Sequence, residues 1–150
     1  PNERCMATYQ ARISGPMLDR FDLCIDVPAV TAADLILPAP TEGSAEVAAR
    51  VAQARQLQVE RYRSLGLPGV TTNAAAPANV IESVAQLDSG STTLIRDAAE
   101  RLRLSARGFH RVLKLARTLA DLDASPDIKR IHLAEALSYR SHLQAYAKAA

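Results

Sequence analysis

The chain has 150 residues, 48% of them hydrophobic and 23% charged, with a formal net charge of +2. That is the make-up of one globular domain or of a piece of a larger protein. No stretch approaches the ~20 apolar residues of a membrane span, no basic-then-apolar leader opens the chain, and Cys5 and Cys24 make no disulfide framework, so a cytoplasmic, reducing setting is expected.

Aromatic residues make up 4%, Trp is absent and 28 residues are Ala. A core of Ala, Leu, Val and Ile packs best as close-set helices. Residues 1–12 show no clear period, and Pro1 stands where an initiating Met would. The sequence therefore reads as a piece that begins inside a longer protein. Ser14-Gly15-Pro16 predicts a turn into a short helix over about 16–20. Phe21, Leu23, Ile25 and Val27 then alternate with Asp22, Cys24 and Asp26, which predicts a strand ended by Pro28. Residues 29–42, with Pro38 and Pro40, read as a linker.

From Ser44 the period turns helical. Val47, Val51, Ala54 and Leu57 or Gln58 predict the inward stripe, with Arg50, Arg55, Arg61 and Arg63 off it, and Gly66 and Pro68 end the helix. Pro77 predicts a short helix holding Val80, Ile81, Val84 and Leu87. Ser89-Gly90-Ser91 reads as a break, and a further helix is expected from about Thr92 to Leu102. Ser105 is the expected N-cap of the next helix, whose apolar face is Phe109, Val112, Leu113, Ala116, Leu119 and Ala120. A turn through Pro126 leads to a last helix over about 129–147, with Ile131, Ala134, Leu137 and Leu143 inward. The predicted fold is mainly α: a short helix and one β-strand, a linker, and a four- or five-helix bundle.

Chemistry-bearing patterns are few. The sequence holds neither a Gly-x-x-x-x-Gly-Lys-Ser/Thr loop nor Gly-x-Gly-x-x-Gly. His110, His132 and His142 have no metal-ligand spacing, so packed or solvated imidazoles are expected and no metal site is assigned. Charge is uneven: residues 1–90 carry 7 basic and 10 acidic side chains, residues 91–150 carry 11 and 6. Arg107 sits two residues after Ser105, where a helix N-terminus and a guanidinium together suit phosphate. Arg111, Lys114 and Arg117 continue its stripe at helical spacing. This stripe fits a solvated face, with Arg117 paired to Asp121, or a nucleic-acid-binding surface. Arg20, at the junction of the short helix and the strand, fits either a projecting cation or a surface pair with Asp19 or Asp22.

Arg12-Ile13-Ser14-Gly15-Pro16-Met17-Leu18-Asp19-Arg20-Phe21-Asp22-Leu23 resembles the RISGPLLDRIDL signature of the magnesium-chelatase-like AAA+ ATPases, in particular their ComM/YifB-type branch. Tyr9 fits that pattern. Arg50-Val51, Ala54-Arg55, Gln58 and Arg61 are similar to the family's R-V-x-x-A-R-x-x-Q-x-x-R helix, and Asn73-Ala74 to its NA pair. Residues 104–113 and 116–122 resemble its LSARxYHRIL and ARTIADL stretches, and residues 132–140 its closing HLxEALxYR helix.

The resemblance implies the end of an ATPase core followed by a helical lid: core over 1–28, linker over 29–42, lid over 43–150. It implies that Arg20 is an arginine finger acting on a neighbouring subunit's nucleotide, and that Arg107 is the sensor-2 arginine at bound nucleotide. ATP and Mg2+ are the implied cofactors of the full-length protein, and the neighbouring subunits of a homo-oligomeric, hexameric ring are the implied partners. DNA is a further partner if the motor drives branch migration. The phosphate loop and magnesium acids would precede Pro1, so the chain alone is expected not to hydrolyse ATP. The family often carries a Cys-rich, zinc-type insert before the RISGP segment; here only Cys5 stands there.

Overall fold

The computed structural model describes residue 17, residues 19–38 and residues 41–149, with side chains as far as residue 140. Pro16 and Leu18 of the predicted short helix lie outside the described residues, as do Arg12 to Gly15 and Cys5. Met17 is helical and Asp19-Arg20 form a turn, closed by the Arg20 N–H donating to the Met17 carbonyl at 3.0 Å.

Five α-helices follow among the described residues: α1 (Ser44–Ser64), α2 (Ala78–Val84), α3 (Ser89–Arg101), α4 (Ala106–Leu122) and α5 (Arg130–Ala149). Short 3-10 turns cover Asp34–Ile36 and Asn73–Ala75. Side chains close the helix starts. The Glu46 carboxylate accepts the Gly43 N–H at 2.9 Å before α1. Asp88 Oδ1 accepts the Ser91 N–H at 2.6 Å at α3, and Ser105 Oγ accepts the Gly108 N–H at 3.0 Å at α4. Each satisfies an N–H that the helix itself leaves unpaired.

Three helices end on a residue of positive φ: Gly66 at 76°, Arg103 at 44° and Ala124 at 50°. The next N–H folds back in each case, Leu67 to Tyr62, Leu104 to Ala99 and Ser125 to Ala120.

Helix α4 is central and packs on α5, α1 and α2. Tyr62, Ile81, Val112 and Leu133 are almost fully enclosed, and Ala116, Ala120 and Ala136 are buried beside them. Alanine at facing positions lets backbones approach closely, which suits a chain so rich in it.

Three expectations are corrected. The segment from Phe21 to Val27 is not a strand: no strand occurs among the described residues, and Phe21, Leu23, Ile25 and Val27 are all exposed. Its pattern has period 2, but a strand needs a neighbour's ladder, and here the Cys24 N–H donates to the Tyr139 carbonyl on α5 instead. Ser89-Gly90-Ser91 is the first turn of α3 rather than a break, because Asp88 caps it. The inward face of α5 is His132, Leu133, Ala136, Leu137 and Arg140, while Ile131 and Ala134 face out. Two of those inward residues are polar, so an apolar stripe passed over them. Leu143 and His142 lie beyond the described side chains.

Candidate functional site

The start of α4 is fastened to the turn that precedes Phe21. Asp19 Oδ2 accepts from Ser105 Oγ at 2.7 Å, and Asp19 Oδ1 pairs with the Arg140 guanidinium. Arg140, 5% exposed, also donates to the Phe21 carbonyl at 2.6 Å. Gly108 lets this happen. A Cβ on it would stand 3.1 Å from Arg140 Nη2 and 3.4 Å from Asp19 Oδ1. The clamp thus joins α4, α5 and the Asp19-Arg20 turn through charge-assisted hydrogen bonds.

Arg20, next to Asp19, and Arg107, two residues after Ser105, take no part in this clamp. Both are exposed, and neither forms an ion pair among the described residues. The alternative pairing of Arg20 with Asp19 or Asp22 does not occur, because those carboxylates are engaged by Arg140 and Arg111.

Arg107 opens onto a cleft of about 320 Å³ lined also by Asp22, Ala74, His110, Arg111 and Lys114. Lys114 Nζ donates to the Ala74 carbonyl at 2.8 Å. Burial first, then the Arg111 charge, pushes its ammonium below the ordinary lysine range, with Asp22 opposing. His110 Nε2 lies 2.6 Å from Glu82 Oε1 on α2, and its ring meets Phe109 edge-on with centroids 5.7 Å apart.

Arg117 does not belong to this surface. It is 1% exposed, with Nε donating to Asp121 Oδ1 at 3.1 Å, Nη1 to the Pro126 carbonyl at 2.7 Å and Nη2 to the Ser125 carbonyl at 2.6 Å. The four-residue basic stripe is therefore broken, and Arg117 holds the α4–α5 turn. Burial pushes its pKa below the ordinary arginine value, against the pull of Asp121.

Asp121 is the hub of a buried polar network that the sequence reading left unassigned. Besides Arg117 it accepts from Arg61, at 3.0 Å to Oδ2, and from Asn73 Nδ2 at 2.9 Å. Asn73 in turn accepts from the Tyr62 hydroxyl at 2.8 Å and donates its backbone N–H to Gln58 Oε1 at 3.2 Å. Burial is the largest single influence and disfavours the Arg61 charge, but the hydrogen bond and charge of Asp121, with Tyr62, together outweigh it and hold the guanidinium above its ordinary range. His132 is packed as well. Its Nδ1 accepts the Lys129 N–H at 3.0 Å, so the proton sits on Nε2, which donates to Asp123 Oδ2 at 3.0 Å.

Gln58, Arg61, Asn73, Arg117 and Asp121 are spread over three separate motif stretches, and the fold brings them to one point. Residues 41–140 match the family described as "Magnesium chelatase, subunit ChlI C-terminal". The chain belongs to the magnesium chelatase ChlI family. Residues 1–35 match the family's "Magnesium chelatase, subunit ChlI" region. Competence protein ComM of Haemophilus influenzae is 39% identical over 134 residues, which is 89% of this chain and 25% of that protein. The uncharacterized protein YifB of Escherichia coli is 40% identical with the same coverage. The uncharacterized protein Mb2921c of Mycobacterium bovis is 35% identical over 88% of the chain. The chain spans about a quarter of the length of the curated relatives it matches. Within the ChlI family region, the motif residues divide by environment. The buried ones build the bundle, and Arg20 and Arg107 alone among the sequence-derived site candidates stay free in solvent.

Proposed function

We propose that this chain is the nucleotide-sensing lid of an AAA+ ATPase, with residues 1–28 as the end of the core, 29–42 as linker and 43–150 as lid. Arg107 contacts the phosphates of bound ATP as the sensor-2 residue. Arg20 reaches a neighbouring subunit's nucleotide as an arginine finger, where a guanidinium stabilises charge on the transferring phosphoryl group. The observation that carries this reading is the clamp of Asp19 on Ser105 and Arg140. It fixes the turn bearing Arg20 to the helix start bearing Arg107, while both guanidiniums stay unpaired among the described residues. Motion of the lid is then transmitted to the finger through one rigid joint.

The residues present fit the phosphate half of Mg-ATP, because three cations line the cleft at Arg107. Among the described residues no three His, Cys, Asp or Glu side chains converge on an ion, so magnesium falls to acids of the core. The full-length protein would work as a homo-oligomeric, hexameric ring in the cytoplasm. No helix among the described residues is long and apolar enough to cross a membrane. The name of the relative called a competence protein is what favours a DNA substrate, and branch migration as the work done rests on the family resemblance alone. A stand-alone nucleic-acid module is the weaker reading, since Arg117 is withdrawn from its stripe.

Subunit mixing tests the finger. Full-length Arg20→Ala is combined with subunits disabled in their own phosphate loop. Regained ATP turnover in the mixture is the expected result. Intact rings without any regain would overturn the finger in trans.

A further inference from the structure

Arg111 and Lys114 lie one and two turns along α4 from Arg107, on the same cleft. The side chain of Asp22, 57% exposed, reaches in from the segment after Arg20 and pairs with Arg111. Arg111 nevertheless keeps a buried Nε that finds no partner among the described residues. Lys114 spends one N–H on the Ala74 carbonyl and keeps the rest of its donors. A second space of about 140 Å³ shares Asp22, Ala74, Arg111 and Lys114 with the cleft. Among the described residues, three cations therefore face a single carboxylate, and that carboxylate arrives from the segment carrying Arg20.

We propose that Arg107, Arg111 and Lys114 form a binding site for the phosphate chain of a nucleotide, and that Asp22 is its built-in competitor, occupying Arg111 until the phosphates displace it. A carboxylate supplies one charge and two acceptors, whereas a di- or triphosphate supplies several of each, so the exchange favours the incoming anion. The space suits a short phosphate chain, not a duplex. The burial that disfavours the Lys114 charge is relieved by an anion placed there. Asp19 stays clamped to Ser105 and Arg140, and the Phe21 carbonyl and Cys24 N–H stay bonded to α5, so occupancy of the cleft frees the Asp22 side chain and not the turn itself.

This rests on the lid reading, and its test is separable from it. Sodium pyrophosphate is titrated into the 150-residue chain by calorimetry. Asp22→Asn should bind about tenfold tighter than the parent, one charged contact's competition removed. Arg111→Ala and Lys114→Ala should each bind at least about tenfold weaker. Asp97→Asn removes the same charge at an exposed pair with Arg96 on α3 and should leave affinity unchanged. Thermal midpoints of the variants check that each is folded. Mg-ATP should compete with pyrophosphate, and a short DNA duplex should not. Equal affinity for Asp22→Asn and its parent, equal gains for Asp22→Asn and Asp97→Asn, or DNA binding without pyrophosphate binding would each overturn the proposal. Failure of the Asp22 effect with a normal Arg107 effect on full-length turnover would leave the lid reading standing, and the reverse pattern would leave the cleft standing.

Discussion

Asp121 Oδ2 accepts a hydrogen bond from Arg61 at 3.0 Å, sixty residues back along the chain. With Arg117 and Asn73 also donating to Asp121, one carboxylate ties α1, the Asn73–Ala75 turn and α4 together. Removing it leaves two guanidiniums without their counterion. Asp121→Ala should therefore cost about 3–5 kcal/mol, a fall in melting temperature on the order of 10 °C at this chain length. Thermal unfolding checks it. Glu42→Ala, which breaks only the exposed pair with Arg50, should leave the midpoint where it is.

Two glycine exchanges should act against the usual trend. Alanine in a helix interior normally improves on glycine by about 1 kcal/mol. Gly108→Ala should instead lower the melting temperature, because the new methyl meets Arg140 at 3.1 Å and Arg140 is held from two sides. Ala124→Gly should raise stability by about 1 kcal/mol, because Ala124 sits at φ 50°, where a Cβ is strained. Melting curves of the two variants give the signs directly.

The cap of α3 should show in the acid limb of stability. The backbone N–H of Ser91 holds the Asp88 carboxyl below its ordinary value of 3.8. A depressed folded value means the contribution is complete above about 3.8 and is lost as pH falls through the folded value. The stability advantage of the parent chain over Asp88→Ala should therefore shrink between pH 6 and pH 2.5. An advantage that stays constant over that range would show that the charge of Asp88 does not contribute.

The helices of this chain were legible because their punctuation is local. Ser105, Gly66, Pro68 and Pro77 mark their ends by rules that need no tertiary knowledge. What was not legible depends on partners far away in sequence. The Arg117–Asp121 pair was legible from its four-residue spacing, but its burial was not, and nothing near Arg61 in the chain reveals that it shares the same carboxylate. His132 and Arg140 interrupt the apolar stripe of α5, so the stripe was placed on Ile131 and Ala134 instead. The segment from Phe21 to Val27 has a strand's alternation without a ladder among the described residues. For the candidate site, Arg20 and Arg107 were singled out by position and by family resemblance. The clamp that joins their elements required Asp19, Ser105 and Arg140 to meet across the fold.

As the proposed sensor-2 residue, Arg107 serves nucleotide and not the bundle. Arg107→Ala is measured twice, by melting of this chain and by ATP turnover of the full-length protein. The side chain is exposed and unpaired among the described residues, so the melting change should stay within about 0.5 kcal/mol. Turnover should fall at least about tenfold, the loss of one charge-assisted contact to phosphate. Undiminished turnover, or a melting shift as large as that of Asp121→Ala, would contradict it.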